Sequence, residues 1–216
     1  MIKRTIDVVL SFFLLLLCSP LFFLLSLLIL FTSGRPLIFK QLRVGYNCKL
    51  FTIYKFRTMK PDSEHSGTGL FSYKSDTRIT QVGHWLRLFS LDELPQLLNI
   101  LKGDMSLVGP RPPVHYELGP IEDYPSDLKH RFTVLPGITG LAQLFGRNDN
   151  NWDEKLQLDL RYISLLRRYG FLVDLFIIVS TFFSLLFPRN TIENPNFSES
   201  CGPITRLAHK HSTPHS

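Results

Sequence analysis

Apolar positions are concentrated in two runs, and the longer one, from Val8 to Phe31, contains no charged residue. As one helix this run would be about 36 Å long, enough to cross a hydrocarbon core of about 30 Å. Its centre, however, holds Ser19 and Pro20. Proline lacks a backbone N–H, and its ring clashes with the carbonyl of Leu16, so the helix must kink or break there. The Ser19 hydroxyl is placed to satisfy the freed carbonyl.

Basic residues flank this run on both sides: Lys3 and Arg4 precede it, and Arg35, Lys40 and Arg43 follow it. Because Lys and Arg favour the cytoplasmic side of a membrane, we expect both ends of the run to lie on one face. The run then enters and leaves as a broken, re-entrant helix, with arms of about 18 Å that are too short to cross. A single-pass anchor with a proline kink is the alternative. A cleaved signal peptide is disfavoured because no A-x-A-like site follows.

The hydrophobic pattern after this run changes to short elements. "PLIFKQLRVG" and "KLFTIYKFRTM" are rich in β-branched and aromatic residues and are separated by "GYNCK", which predicts a hairpin or two short strands. The polar segment "KPDSEHSGTG" predicts a surface loop. Leucine spacing from Ser90 predicts an amphipathic helix that ends near Gly103, and a second helix is predicted from Trp152 to Arg168.

Proline and glycine punctuate the chain between these two predicted helices. The three prolines of "SLVGPRPPVHYE" argue against regular structure and stiffen the backbone around Arg111. "LPGITGLAQLFGRN" has the character of a connector.

The second apolar run extends from Phe171 to Phe187 and is short for a membrane span. Its basic flanks favour an interfacial helix that lies on the membrane, with a buried core helix or a marginal span as alternatives. After Pro188 the chain becomes polar, and we expect a disordered tail. The predicted division is a re-entrant element at 1–34, a domain at 35–188 that includes the interfacial helix at 171–187, and a tail at 189–216.

Composition supports one domain that also contacts a membrane. The chain has 216 residues, is 44% hydrophobic and carries a formal charge of +6. This positive charge suits anionic lipid headgroups, phosphorylated substrates or nucleic acid, and a membrane location favours the first two. Cys18, Cys48 and Cys201 form no C-x-x-C pair, so neither a disulfide framework nor a zinc site is indicated. A reducing, cytoplasmic setting is expected.

The adjacent acids Asp92 and Glu93 are the first candidates for chemistry. One interpretation is structural, because Ser90 followed three residues later by Glu93 fits a capping box at a helix start. The other is functional, since two neighbouring carboxylates can share metal ligation with nucleophilic or acid–base catalysis.

Cations suited to phosphate make up the remaining candidates. Lys55 and Arg57 would share one face of a strand and could grip a diphosphate, although a solvated strand edge has the same pattern. Arg111 lies between Pro110 and Pro112, and a stiff backbone lowers the entropic cost of aiming its guanidinium. Asp159 would share a helix face with Tyr162, either lining a site or as a surface acid beside a packed tyrosine.

Together these motifs resemble the bacterial sugar transferases, or monotopic phosphoglycosyl transferases. The resemblance runs from about Lys3 to Phe187 in the order of that family. Its motifs are "KRTIDVVLS", the Ser19-Pro20 break, "PLIFKQLRVG", "FTIYKFRTM", "DTRITQVGHWLR", "SLDELPQLLNILKGDMSLVGPRP", "PGITGLAQLFGRN" and "LDLRY". Leu141 stands where tryptophan is common in the family, which concerns the sugar rather than the reaction.

The resemblance implies an α/β (α+β), helix-rich small catalytic domain on a re-entrant helix-break-helix with interfacial helices. It also implies transfer of a phosphosugar from a nucleotide diphosphosugar, usually a UDP-sugar, to polyprenol phosphate, with release of UMP. Asp92 would be the nucleophile and Glu93 its partner carboxylate, with Mg²⁺ as cofactor at these two acids. Arg111 would bind phosphate, and three further residues would support the site: Lys55, Arg57 and Asp159.

The expected partners are the nucleotide sugar, polyprenol phosphate and membrane lipids, with a homodimer possible and no nucleic acid. The expected location is the cytoplasmic face of the bacterial inner membrane. Two rival functions remain: a hydrolase that uses the same residues, and a scaffold that explains the apolar runs and the basic charge but not Arg111 beside the acid pair. A metal-dependent hydrolase of nucleotide sugars would turn over without polyprenol phosphate, and a noncatalytic membrane scaffold would bind nucleotide sugar without product.

Overall fold

The computed structural model of the protein describes residues 2–60, 63, 76–145 and 151–186. The predicted tail at 189–216 and most of the predicted surface loop lie outside these residues. The described part is a helix-rich mixed fold with two small two-stranded sheets. Its elements in chain order are α1 (Ile2–Leu17), α2 (Ser19–Ser33), β1 (Ile38–Val44), β2 (Leu50–Phe56), α3 (Gln81–Leu88), a 3₁₀ helix (Leu91–Gln96), α4 (Leu97–Lys102), β3 (Ser106–Val108), α5 (Ser126–Arg131), β4 (Gly137–Thr139), α6 (Leu141–Phe145), α7 (Trp152–Tyr169) and α8 (Phe171–Leu186).

The N-terminal apolar run is broken at the predicted place. α1 and α2 meet at a bend of 60°, and Pro20 lies in the first turn of α2, where its missing N–H would have had no helical partner. The Ser19 hydroxyl donates to the carbonyl of Leu16 at 2.8 Å, as the sequence predicted. Among the described helices, no single one has the length and apolar character of a membrane span, whereas the bent pair has both when taken together.

Both ends of this bent pair are attached to the rest of the fold. Near the N-terminus of α1, Lys3 forms an ion pair of 2.6 Å with Asp174 of α8. The buried carboxylate of Asp7 accepts one hydrogen bond from the Ser106 hydroxyl and another from the backbone N–H of Leu107. At the other end, Arg57 donates to the carbonyls of Ser33, Gly34 and Arg35. The helix pair therefore begins and ends against the same body.

The predicted hairpin is confirmed. β1 and β2 pair in antiparallel register from Ile38 opposite Phe56 to Val44 opposite Leu50. Asn99 of α4 anchors the hairpin, because its amide oxygen accepts from Tyr54 N–H and its amide nitrogen donates to the Thr52 carbonyl.

The helix predicted from Ser90 is present, but its start differs from the prediction. Residues Leu91–Gln96 form a 3₁₀ helix, and the α-helix begins only at Leu97. Pro95 explains the change, since it donates no backbone hydrogen bond and its ring clashes with the preceding turn. The end is as predicted, because Gly103 takes a left-handed φ of 97° after Lys102.

The prediction of irregular structure between the two amphipathic helices was wrong in part. Residues Ser106–Val108 form β3, just before the prolines, and pair in parallel with β4 inside the predicted connector. The backbones approach closely at the start of β4 and just after β3, since a Cβ added at Gly137 would lie 2.1 Å from the backbone nitrogen of Gly109. Strands of three residues leave too short a pattern to identify from sequence.

The second apolar run forms α8 and has two different faces. Asp174 and Ile177 are buried against the fold. Large apolar side chains remain exposed elsewhere on the helix: Leu172, Leu175, Phe176, Val179, Phe182 and Phe183. α8 is therefore only partly a core helix, and the interfacial position of its exposed apolar surface stays a prediction. The helix predicted from Trp152 is also confirmed, as α7.

Candidate active site

The acid pair lies on the 3₁₀ helix beside β2. Ser90, the residue before this helix, has a left-handed φ of 54°, and its side chain makes no capping hydrogen bond. Glu93 directs its carboxylate toward Lys55 and Arg111 and does not return to the helix start. The capping-box interpretation is therefore wrong for this pair, and the acids are not explained by helix capping.

Glu93 holds two cations together. Its Oε1 atom accepts from Lys55 Nζ at 2.6 Å and from Arg111 Nη2 at 3.0 Å. Burial alone would raise the pKa of Glu93, but the charges and hydrogen bonds of Lys55 and Arg111 outweigh it and lower the pKa to about 2. Glu93 is therefore ionised at neutral pH and ties strand β2 to the proline-framed segment that carries Arg111.

Asp92 differs from Glu93 in its surroundings and in the direction of its pKa shift. It is 8% exposed, and no described residue donates a hydrogen bond to its carboxylate. Burial raises the pKa of Asp92, and repulsion from Glu93 adds to this, while Lys55, Arg87 and Arg111 oppose it. A buried carboxylate that lacks hydrogen-bond donors, with cations near it, has the properties of a nucleophile or of a metal ligand.

Arg111 combines a held backbone with an accessible side chain. Its guanidinium side chain is 47% exposed. Its carbonyl accepts a hydrogen bond from the guanidinium of Arg131. Glu93 raises the pKa of Arg111 and outweighs the opposing effect of partial desolvation, so the guanidinium is firmly charged. The predicted rigid, charged arginine is thus next to the acid pair.

Arg131 was missed by the sequence analysis. Its Nε donates to Asp159 at 2.6 Å, and the side chains of both residues are at most 2% exposed. Burial raises the pKa of the Asp159 carboxyl, although Arg131 opposes the shift. Asp159 therefore lies behind the site, where it holds Arg131, which in turn holds Arg111. A buried acid on α7 implied a cationic partner, but sequence alone offers many candidates for it.

Arg57 lies apart from this group of side chains. β2 ends at Phe56, and the guanidinium of Arg57 caps the carbonyl end of α2 through Ser33, Gly34 and Arg35. This geometry gives Arg57 a structural contact with the helix pair. Its predicted contact with a diphosphate stays a prediction. Lys55, by contrast, is in the site as expected.

Two further cations lie near the site, one close to Asp92 and the other close to Arg111 and Asp159. Arg87 of α3 donates to the Thr58 hydroxyl at 2.9 Å, and its charge acts on Asp92. Lys155 of α7 lies over the ring of Trp152, and its charge interacts with those of Arg111 and Asp159. Neither was singled out from the sequence, because isolated basic residues on helices are usually solvated. The resulting surface is cationic and suits phosphate groups.

The two acids provide oxygen ligands suited to Mg²⁺. The described residues contain no group of three or more His, Cys, Asp or Glu side chains placed to hold a metal. Mg²⁺ is, however, often bound by one or two carboxylates together with substrate phosphates. Asp92 and the Oε2 atom of Glu93, neither of which accepts a hydrogen bond from a described residue, fit that mode.

Comparison with known proteins identifies the family. A family model described as bacterial sugar transferase matches residues 1–188. The chain belongs to this family. Among the similar proteins, an uncharacterized sugar transferase EpsL of Bacillus subtilis is 41% identical over 180 residues, which cover 83% of this chain and 85% of the relative. This bacterial sugar transferase is therefore an enzyme. The match to the family model includes the acid pair, both apolar runs and α7.

Other relatives of this bacterial sugar transferase have more specific names. An undecaprenyl-phosphate galactose phosphotransferase of Salmonella typhimurium is 43% identical over 176 residues, 75% of this chain and 36% of the relative. A UDP-glucose:undecaprenyl-phosphate glucose-1-phosphate transferase of Klebsiella pneumoniae is 39% identical over 186 residues, 84% of this chain and 39% of the relative. The chain thus corresponds to about a third to two fifths of these two longer proteins.

Proposed function

We propose that this bacterial sugar transferase transfers a phosphosugar from a nucleotide diphosphosugar, of the UDP-sugar class, to polyprenol phosphate. The observation that carries the proposal is Asp92, a buried carboxylate without a hydrogen-bond donor among the described residues, beside Lys55, Arg87 and Arg111. The names of the Salmonella and Klebsiella relatives support the acceptor and the phosphosugar. The reaction would begin the membrane stage of polysaccharide synthesis.

In the first step, a carboxylate oxygen of Asp92 attacks the sugar-bearing phosphorus of the donor. The bond between this phosphorus and the oxygen bridging to the nucleotide phosphate breaks, and UMP leaves with the bonding electrons. The product on the enzyme is an acyl phosphate that carries the sugar. Covalent catalysis suits this transfer because a soluble donor and a lipid acceptor then use one small site in turn.

In the second step, an oxygen of polyprenol phosphate attacks the same phosphorus and the bond to Asp92 breaks. This forms a polyprenyl diphosphosugar and restores the carboxylate. Arg111 and Lys55 bind the phosphate oxygens. Asp159 holds Arg131, and Arg131 holds the backbone of Arg111, so the position of the Arg111 guanidinium is fixed. Glu93 keeps Lys55 and Arg111 together between the two steps.

Mg²⁺ would be held by Asp92 and by Glu93 through Oε2, together with phosphate oxygens of the donor. When bound, it offsets diphosphate charge that would otherwise repel an attacking carboxylate.

We also propose that the bent pair of α1 and α2 is re-entrant and that the catalytic domain lies on the cytoplasmic face. Both ends of the pair contact the same body, through Lys3 and Asp174 at one end and through Arg57 at the other. A pair that crossed the bilayer would place these two ends on opposite faces. The basic flanks of the run favour the cytoplasmic side for both.

The covalent step is tested by incubating the enzyme with UDP-sugar and Mg²⁺ in the absence of acceptor. We expect release of UMP in an amount comparable to enzyme, and a phosphosugar adduct on the peptide that contains Asp92. Asp92→Asn is the matched control, because the amide keeps the shape but is a poor nucleophile. UMP release that requires polyprenol phosphate, with no adduct, would favour direct transfer. Continued turnover without acceptor would favour the hydrolase.

A further inference from the structure

Two adjoining cavities lie along α7, on a side that the proposed chemistry does not use. The smaller cavity has a volume of about 360 Å³ and is lined by Glu154, Gln157, Leu158 and Arg161. The larger one has about 590 Å³ and shares Leu158 and Arg161 with the first. These residues recur at helical spacings of three and four, so they form one stripe of α7. Asp159, which supports the active site, is buried on another side of the helix.

The two cavities differ in character. The larger is mostly apolar, with the Arg161 guanidinium and the Tyr169 hydroxyl as its polar groups. Its lining comes from α6, α7 and α8: Leu141, Phe145, Leu158, Leu165, Tyr169, Leu172, Val173, Phe176 and Arg161. The smaller presents one anion and one cation, Glu154 and Arg161. Neither side chain forms an ion pair or a side-chain hydrogen bond with any described residue. Together the cavities form a groove that is dipolar at one end and apolar at the other.

We propose that this groove binds one phospholipid of the bilayer, of the class whose headgroup carries both a phosphate and a primary ammonium. Arg161 would hold the phosphate, Glu154 would accept from the ammonium, and an acyl chain would occupy the larger cavity. Opposite charges that face one small cavity match a zwitterionic headgroup, whose two charges are covalently linked. Neither charge has a partner to displace among the residues that the structure describes.

The position of the groove supports a bilayer lipid as its occupant. Leu172 and Phe176 line the larger cavity and also belong to the exposed apolar surface of α8. The groove is therefore continuous with the surface that we place at the membrane, and a chain enters it without crossing water. Polyprenol phosphate fits less well, because it has no ammonium for Glu154. The proposal concerns a site separate from Asp92, so it stands or falls independently of the transfer reaction.

The test is native mass spectrometry of the delipidated full-length protein in detergent, titrated with phosphatidylethanolamine, phosphatidylglycerol or polyprenol phosphate. We expect phosphatidylethanolamine to bind tightest, and Arg161→Gln and Glu154→Gln each to weaken it about tenfold, since each removes one hydrogen bond between charged groups. Arg167→Gln is the matched control, because Arg167 is exposed on the same helix but lines neither cavity. It should bind as the wild type does.

Two results would overturn the proposal. Equal or tighter binding of phosphatidylglycerol or polyprenol phosphate would show that no ammonium is recognised. Unchanged phosphatidylethanolamine binding by Arg161→Gln would show that the headgroup is not held there. Both substituted side chains are exposed, so the variants should keep the wild-type thermal unfolding curve, which is measured in the same detergent.

Discussion

Replacing Asp159 by asparagine tests how the active site holds Arg111. The Asp159 and Arg131 side chains are 1% and 2% exposed, and the atoms that join them are 2.6 Å apart. Removing one charge of such a pair leaves the other buried without compensation, at a cost of about 3–5 kcal/mol. For a chain of this size, about 1 kcal/mol corresponds to roughly 2–4 °C in Tm. Asp159→Asn should therefore lower Tm by roughly 6–20 °C.

The double variant Arg131→Met with Asp159→Leu separates stability from positioning. Replacing a buried ion pair by apolar side chains of similar volume is often neutral or stabilising, so Tm should return close to that of the wild type. Turnover should not return, because the Arg111 carbonyl loses the guanidinium that holds it. The expected result is a stable protein with a lowered kcat.

The assay combines thermal unfolding in detergent with turnover of UDP-sugar and polyprenol phosphate. Trp152 fluorescence reports on the surroundings of Arg131, because the Arg131 guanidinium lies over the Trp152 ring at 5.3 Å from its centroid. A Tm of Asp159→Asn within about 2 °C of the wild type would refute the stability argument. A double variant with both normal Tm and normal turnover would refute the positioning role of Arg131.

Further predictions concern four other residues. Arg111→Lys should lose most of the activity in steady-state kinetics despite keeping the charge, because lysine cannot form a bidentate phosphate contact; near-normal turnover would contradict this. Glu93 has a pKa lowered to about 2, so its ionisation stabilises the fold above about pH 4.5, and this stabilisation is lost as the pH falls from 4.5 to 2. The difference in Tm between the wild type and Glu93→Gln should therefore shrink only in that pH range. Arg57→Gln should lower Tm with little change in the KM for nucleotide sugar, and a raised KM at unchanged Tm would instead support the predicted diphosphate contact. Pro20→Ala should straighten the helix and reduce activity; labelling of a cysteine at position 2 from outside intact wild-type cells would refute the re-entrant topology.

Local patterns predicted those parts of the fold in which neighbours along the chain decide the structure. Proline chemistry located the break at Pro20, segments rich in β-branched and aromatic residues on either side of a turn located the hairpin, and the hydrophobic pattern located α7. The parallel pair of β3 and β4 could not be found in this way. Its two strands have three residues each and are brought together by a close approach of Gly109 and Gly137.

In the candidate site, too, the sequence predicted some features and missed others. Four candidate residues were identified from residue type and local setting, and the structure brings them together: Asp92, Glu93, Lys55 and Arg111. The structural capping interpretation of Ser90 failed because the backbone there is left-handed and the Glu93 carboxylate is drawn to two cations from other segments.

By itself, the sequence determined where the N-terminal apolar helix breaks, which residues are candidates for chemistry and, through its ordered motifs, the family. These properties depend on residue identity and on contacts within one or two turns of the chain. Only the tertiary structure decided the partners of the charged side chains. Asp159 pairs with Arg131, Glu93 pairs with Lys55 and Arg111, and Arg57 donates to backbone carbonyls at the end of α2. An ion pair depends on distance and burial across segments that are 18 to 38 residues apart in this site. Neither quantity is encoded in local spacing, so the long-range packing of the chain had to be known first.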